Sequence, residues 1–151
     1  WFFSLDAANP VAVAHARTIF HLTKFKAAMR QTTEDGGPTE YVSVRRHRGA
    51  KNAESVLTYT PQGEPRTVAP GSLDHFLCER YLLYSESGGR LFAGRVHHAP
   101  YPLQAATLHD LSDTLVAAAG FEEVASQTPA HVAFAAGVSV EVFPLAALNA
   151  R

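Results

Sequence analysis

Four side chains in the middle of the sequence have the chemistry of a site for an oxygenated ligand: Arg80, Tyr84, Arg95 and His97. A guanidinium group pairs with a carboxylate through parallel hydrogen bonds, and an imidazole can take up or release a proton near neutral pH. His98 directly follows His97, and neighbouring residues of a strand point to opposite faces, so the two imidazoles cannot hold one metal ion. We therefore take Arg80, Tyr84, Arg95 and His97 as candidate contacts to a small ligand.

A capped helix followed by a β-hairpin has to position these side chains. Ser72 is a natural N-cap, and the sequence after it predicts a helix over about 73–80. Two runs of aromatic and aliphatic residues, 81–84 and 91–96, follow the helix. Gly88 and Gly89 lie between the runs and predict a tight turn between two antiparallel strands.

The turn decides which hairpin residues share a face. With the two glycines as the loop, Leu82 lies opposite Arg95. Alternation then gives an apolar core face of Tyr81, Leu83, Phe92 and Val96, and a second face of Leu82, Tyr84, Arg95 and His97. The second face matches a pocket wall that accepts anions, and it equally matches a solvated outer sheet face. A register shifted by one residue would put His98 in the pocket and His97 outside it.

Arg80 has two alternative partners. It ends the predicted helix, where its guanidinium can pair with a carboxylate of the fold, either Glu79 or Glu54, or with the carboxylate of a ligand. The helical residues before it form an apolar stripe made of Leu73, Phe76 and Leu77.

Periodicity and turn residues predict the remaining elements. Strands are expected at 1–6, 24–33, 40–48, 53–60 and 104–109, a helix at about 10–22, a short helix capped by Asp110 or Ser112, and a C-terminal hairpin at 131–135 and 138–143. The expected fold is a β-rich α+β domain over 1–151 with mainly antiparallel strands and a few covering helices.

The strand at 40–48 carries the densest positive charge of the chain. Val42 and Val44 predict its apolar face, and Tyr41, Ser43 and Arg45 predict a face in contact with water. We interpret the cluster from Arg45 to Arg48 as a charged strand end; the alternative is an anion or nucleic-acid patch.

Composition excludes several classes of function. The chain has 151 residues, 46% of them hydrophobic, and its 13 basic and 14 acidic residues give a net charge of −1, which disfavours nucleic acid and acidic membranes as partners. No segment reaches membrane length, and a single cysteine, Cys78, predicts a reducing cytoplasm. The sequence contains no G-x-S-x-G, C-x-x-C, H-E-x-x-H or glycine-rich phosphate loop, so we expect no metal and no cofactor.

Several ordered motifs resemble the YqjF-like bacterial family of unknown function. They are WFFSLDAA at residues 1–8, TIFHL at 18–22, PGSLDHFLCERYLLY at 70–84 and VHHAPYPL at 96–103. The resemblance covers essentially the whole chain and implies a cone-like or barrel-like sheet around a pocket, similar to acetoacetate decarboxylase. It also implies that the chain is the C-terminal part of a longer domain.

The resemblance does not carry over the chemistry of the decarboxylase. That enzyme forms a Schiff base on a lysine whose pKa is lowered by a neighbouring cation. This chain has only Lys24, Lys26 and Lys51, and none is adjacent to another lysine. Schiff-base decarboxylation is therefore disfavoured, and whether the protein is an enzyme stays open.

Two hypotheses remain. The first is a protein that binds a small oxygenated or carboxylate metabolite in a pocket within the sheet, through Arg80, Tyr84, Arg95 and His97. The second is a non-catalytic structural module in which the sheet packs against a second copy in a homo-oligomer.

Overall fold

Ten strands and four helices make up residues 3–148, the part of the chain described by the computed structural model. In chain order they are β1 (Leu5–Ala7), α1 (Pro10–Ile19), β2 (Lys24–Thr33), β3 (Thr39–Arg45), β4 (Glu54–Arg66), α2 (Leu73–Cys78), β5 (Leu82–Ser87), β6 (Arg90–His98), β7 (Leu103–Asp113), α3 (Leu115–Ala118), α4 (Glu122–Ala125), β8 (Ala133–Ala135), β9 (Val140–Val142) and β10 (Ala146–Ala147). Within this range no helix is long and apolar enough to cross a membrane.

The larger sheet has six strands in the order β1-β2-β3-β4-β7-β8 and curls into a half-barrel. Strands β1 and β2 pair in parallel, and every other neighbouring pair of strands in this sheet is antiparallel. The β-rich α+β prediction is confirmed at this level. The register of β4 against β7 shifts between Thr58 and Tyr59, so His109 is left as a bulged residue between its paired neighbours.

The smaller sheet is built on the predicted hairpin. β5 and β6 pair with Leu82 opposite Arg95, and Gly88 and Gly89 adopt φ angles of 59° and 75°, as a two-residue turn requires. β10 and β9 both pair with β6 on its other side. The predicted register is therefore confirmed.

Helix α1 begins where predicted and ends early. The Asn9 side chain accepts hydrogen bonds from the first N–H groups of the helix, and Pro10 fills the first helical position. The helix was expected to reach Leu22 but ends at Ile19, because the chain turns through His21, whose φ is 51°. The predicted strand at 1–6 is observed in part as β1; Trp1 and Phe2 lie outside the described residues.

Two C-terminal predictions are wrong. The expected hairpin at 131–143 does not form, because Gly137 (φ 109°) redirects the chain and the two strands join different sheets, β8 pairing with β7 and β9 with β6. The expected caps Asp110 and Ser112 are instead paired with Thr58 and Val56 inside β7, and the helices begin only after this strand has ended.

Candidate functional site

Tyr84, Arg95 and His97 share the outer face of the smaller sheet, as predicted. All three side chains are exposed, and none of them lines either of the two cavities described below. Arg80 is exposed too, and its guanidinium lies 4.0 Å from the ring centroid of Phe76. The predicted ion pair of Arg80 with Glu79 or Glu54 is absent among residues 3–148.

The opposite face of the hairpin is buried only in part. Leu83 is buried and Phe92 and Val96 are half-buried, but Tyr81 is 41% exposed. The buried imidazole of this sheet is therefore that of His98, which is 6% exposed, whereas His97 faces solvent with Glu141 paired opposite.

An aromatic and acidic cluster surrounds His98. Its ring stacks on Tyr81 (4.7 Å between centroids, 19°) and contacts Tyr101 (4.9 Å), while Nδ1 lies 2.8 Å from the carbonyl oxygen of Ala99. Glu79 accepts a hydrogen bond from the Tyr81 hydroxyl and another from the Tyr101 N–H (3.1 Å). The cluster fastens the end of α2 to the β6–β7 connection.

The hydrogen bond between Tyr81 and Glu79 shifts the pKa values of both residues. It is the largest cause that lowers the pKa of Glu79, with smaller help from the Tyr101 N–H and the nearby His98 and His75, while desolvation acts against them. The same bond is the main cause that raises the pKa of Tyr81. Both effects favour an ionised Glu79 beside a neutral Tyr81 over a wide pH range.

The face of β3 predicted to be wet is the buried one. Ser43 is 1% and Arg45 is 7% exposed, while Val42 and Val44 are only half-buried. Alternation along β3 was read correctly, but the sheet turns its polar residues inward. We call this surface the buried polar face; its members are Asp6, Phe25, Ala27, Tyr41, Ser43, Arg45, Ser55 and Tyr59, which share one side of β1–β4 through their pairing.

An ion pair closes one end of the buried polar face. Arg45 places Nε 2.9 Å and Nη2 2.8 Å from Oδ1 of Asp6, with side chains that are only 2% and 3% exposed. Nη2 also donates to the Ser4 hydroxyl (2.7 Å), and the guanidinium lies 4.1 Å from the Phe25 ring centroid. Arg17 of α1 approaches the same ring at 5.6 Å, so α1 lies over this end of the face. The interpretation of the cluster from Arg45 to Arg48 as a charged strand end is correct for Arg46 and Arg48, which are exposed beyond the end of β3, but wrong for Arg45, which is buried and paired.

Two atoms of the buried polar face have no hydrogen-bonding partner. They are Oγ of Ser43 and Oδ2 of Asp6, and each is shielded from solvent. Ser85 of the smaller sheet carries a third such oxygen. Because buried polar groups in native proteins are nearly always satisfied, each of these atoms is a place where a water molecule or a ligand is expected.

Polar groups continue across the sheet from Ser43. Ser55 lies directly opposite it on β4, and Asp113 lies opposite Ser55 on β7. Burial, with a smaller contribution from Tyr41, raises the pKa of Tyr59, so its hydroxyl stays a hydrogen-bond donor at neutral pH.

Two open cavities adjoin the ends of these strands. One of about 440 Å³ is lined by Val44, Arg45, Arg46, Asn52, Ala53, Glu54 and Thr114. A second of about 450 Å³ lies beside β7 and includes His109, Asp110 and Asp113. Both are large enough for a small metabolite.

Metal and thiol chemistry find no support in this geometry. Over residues 3–148 there is no group of three His, Cys, Asp or Glu side chains that could hold a metal ion. The Cys78 pKa is raised, first by burial and then by Asp74 and Glu79, so its thiol is a weak nucleophile.

The sequence reasoning missed Asp6 as a site residue. Its signal was a carboxylate inside a hydrophobic first strand, which calls for a buried partner. That partner, Arg45, lies 39 residues away, and no local pattern identifies it.

The fold and the buried polar face together define a β-rich α+β protein whose half-barrel has a polar interior. The chain belongs to the DUF2071 family of uncharacterized conserved proteins, whose model matches residues 1–139. It is 38% identical over 133 residues to the uncharacterized protein YqjF of Bacillus subtilis (strain 168), an alignment that covers 88% of this chain and 54% of YqjF. The chain thus spans about half the length of this curated relative. No solved structure matches the chain significantly.

Proposed function

We propose that the protein binds a small oxygenated or carboxylate metabolite within its curled sheet. The observation that carries the proposal is the buried polar face, on which Ser43 Oγ and Asp6 Oδ2 have no partner. An unsatisfied buried polar group costs about 1–3 kcal/mol, and a ligand that satisfies it recovers this free energy on binding. A cavity of about 440 Å³ lies at the end of β3 and is lined by Arg45, Asn52 and Glu54 but not by Asp6 or Ser43.

The proposed relation to the acetoacetate decarboxylase fold belongs to the same proposal. A half-barrel that carries polar groups on its buried face is compatible with a cone-like sheet around a pocket. Schiff-base chemistry is not part of it, since Lys26 and Lys51 are exposed and Lys24 is only half-buried. We propose binding and leave turnover open.

Arg80, Tyr84, Arg95 and His97 form a second proposed site, for a carboxylate on the outer face. Arg95 and His97 lie within two residues of each other on that face, and neither has an ion-pair partner within the described residues. Glu141, paired opposite His97, weakens the positive field there.

Thermal-shift screening separates the two sites. The wild-type chain is screened against small carboxylates, keto acids, lactones and polyols, and every hit is repeated on Ser43→Ala and on Arg95→Ala. A hit lost only in Ser43→Ala places the ligand on the buried polar face; one lost only in Arg95→Ala places it outside. If no compound raises the melting temperature of the wild type, the binding proposal fails.

A homo-oligomeric module is the second candidate function, and the exposed apolar surface favours it. The apolar stripe of α2 is open to solvent: Leu73, Phe76 and Leu77 are 56%, 63% and 50% exposed. The exposed Leu82 and Tyr84 lie on the neighbouring strand β5. Light scattering across a range of protein concentrations, on wild type and Phe76→Glu, tests this candidate; a monomer at every concentration contradicts it.

A further inference from the structure

Strand β5 has one edge without a partner strand. In the described part of the chain it pairs only with β6, and the register of that pairing contains no bulge. The Val96 N–H donates to the Tyr81 carbonyl oxygen (2.9 Å), so Tyr81 and every second residue after it direct their backbone groups toward β6. Leu82, Tyr84 and Glu86 therefore direct their N–H and C=O groups outward. These groups make no other backbone hydrogen bond within residues 3–148.

This edge lacks common features that keep edge strands from pairing. Natural proteins often protect a free edge with lysine, proline or a bulge. β5 contains no lysine and no proline, and its only charge is Glu86. On the outer face, Leu82 is 54% and Tyr84 is 40% exposed, and Leu91 of β6, opposite Glu86, is 48% exposed. The edge therefore offers unpaired backbone groups together with apolar surface, as a strand-pairing surface does.

β5 is complementary to itself in one antiparallel register. A twofold axis through Tyr84, perpendicular to the sheet, sets Tyr84 opposite Tyr84 of a second copy and Leu82 opposite Glu86 of that copy. All three positions carry outward backbone groups, so each pair exchanges two hydrogen bonds and every outward group of β5 is satisfied. A register shifted by one residue would oppose these groups with residues that already bond to β6. A shift by two residues would leave one end of β5 unpaired.

The same register brings opposite charges together. Arg95 lies beside Leu82 on β6 and has no ion-pair partner within residues 3–148. Glu86 of the second copy would lie on the other side of Leu82, on the same outer face, with its backbone about 10 Å from that of Arg95. Two long side chains span this distance. Within one chain, Glu86 is four residues along the strand from Leu82, about 14 Å away, so the pairing of these charges is specific to the dimer.

The chain exposes enough surface for such an interface. Its accessible surface is 10179 Å², about 2,700 Å² more than a compact monomer of 16.3 kDa exposes. Each partner of an obligate dimer buries about 1,000 Å² or more, so the pairing of β5 requires only part of this surplus. The net charge of −1 causes no strong repulsion between two copies.

We infer that the protein forms a twofold-symmetric homodimer in which β5 of one copy pairs antiparallel with β5 of the other, with Tyr84 on the axis. The two smaller sheets then form one continuous sheet across the dimer. This inference rests on the second candidate function, the homo-oligomeric module, and specifies its interface and register.

Sedimentation velocity tests the use of this edge. We expect the wild type to sediment as a dimer. Tyr84→Pro removes the outward N–H at the axis but leaves the hydrogen bonds to β6 in place, because proline is tolerated where the N–H of an edge strand faces solvent. It should raise the dissociation constant of the dimer by about tenfold or more. His97→Ala, on the same face of the interior strand β6, should leave the dissociation constant unchanged.

Single cysteines test the register. In a Cys78→Ser background, Tyr84→Cys places two thiols across the axis at a Cα separation of about 5.5 Å, which a disulfide can bridge. Leu82→Cys is the matched control, because the same axis sets its two copies about 14 Å apart. Mild oxidation should therefore give a covalent dimer with Tyr84→Cys and none with Leu82→Cys.

Each outcome decides a different claim. A wild type that is monomeric at every concentration overturns the second candidate function and this inference with it, and leaves the edge of β5 to a different partner. If the wild type is a dimer that Tyr84→Pro does not weaken, or if both cysteine variants cross-link equally, the pairing through β5 is wrong while a dimer through another surface stands. The cysteine pair decides the question where Tyr84→Pro fails to fold.

Discussion

At the scale of single residues, the ion pair of Asp6 and Arg45 should dominate stability. Arg45→Met leaves the Asp6 carboxylate buried without its counterion, which costs about 3–5 kcal/mol. We expect urea unfolding to show a loss of this size. The double variant Asp6→Leu with Arg45→Met removes both charges and should recover most of it. If Arg45→Met lowers the free energy of unfolding by less than about 1 kcal/mol, which is the contribution of a surface ion pair, the burial of this pair is contradicted.

Ser43→Ala should make the unliganded protein more stable, not less. The substitution removes a hydroxyl that is 1% exposed and has no partner, and its desolvation penalty of about 1–3 kcal/mol is relieved in part. We expect a rise in melting temperature, compared with no change in Ser112→Ala. A fall in melting temperature would mean that an ordered water is already hydrogen-bonded to Ser43, because the substitution would then remove a hydrogen bond that is made.

The Glu79–Tyr81 hydrogen bond predicts a window of pH in which it stabilises the fold. The pKa of Glu79 is lowered, so its contribution is complete above the ordinary glutamate value of about 4.3 and is lost as pH falls through the depressed pKa. The pKa of Tyr81 is raised, so the contribution persists up to the ordinary tyrosine value of about 10 and is lost above it. Melting curves of wild type and Tyr81→Phe should therefore differ most between these limits and converge at both extremes. A difference that stays constant down to pH about 2 would rule out this linkage.

At the scale of elements, the sequence predicted what local chemistry decides. The register of β5 and β6 follows from Gly88 and Gly89, and the start of α1 follows from Asn9 and Pro10. The direction in which a strand faces is not local. In β3, alternation separates Ser43 from its valine neighbours, but which side is buried depends on α1 and on a partner 39 residues away from Arg45.

The candidate site, too, was predicted only where local pairing decides the geometry. Arg95 and His97 were correctly placed on one face, because hairpin pairing is local, but their exposure depends on what covers the smaller sheet. The Asp6–Arg45 pair could not be read from spacing, because its two members come from β1 and β3 and meet across β2.

Gly94 is the position where the smaller sheet should be most sensitive. A Cβ there would lie 2.7 Å from Leu145 Cδ2 and 3.2 Å from the Phe143 carbonyl oxygen. Gly94→Ala should therefore displace the segment that includes β10, at a cost of about 1–3 kcal/mol. Hydrogen exchange should rise at 143–147, whereas His97→Ala on the outer face of the same strand should leave it unchanged. Equal exchange in both variants would show that Leu145 adapts without strain.

At the scale of the whole molecule, the accessible surface is larger than the mass of the chain predicts. It is 10179 Å² for 16.3 kDa, whereas a compact monomer of that mass exposes about 7,500 Å². The surplus is comparable with the 2,000 Å² or more that an obligate interface buries, by order of magnitude. Exposed leucine, valine and phenylalanine side chains along α2, α4 and β9 supply part of it.

This surplus predicts how the chain unfolds. The surface newly exposed on unfolding is about one sixth smaller than for a compact domain of the same mass. Because the urea m-value scales with that surface, a monomeric chain should give a correspondingly low m-value. If a second copy covers the surface, the unfolding midpoint rises with protein concentration, because association stabilises only the folded state. Urea unfolding at two widely separated concentrations distinguishes these cases. An m-value of full size with a midpoint that is independent of concentration would contradict both the open monomer and the association with a second copy. The exposed apolar side chains would then have to be buried within a single chain.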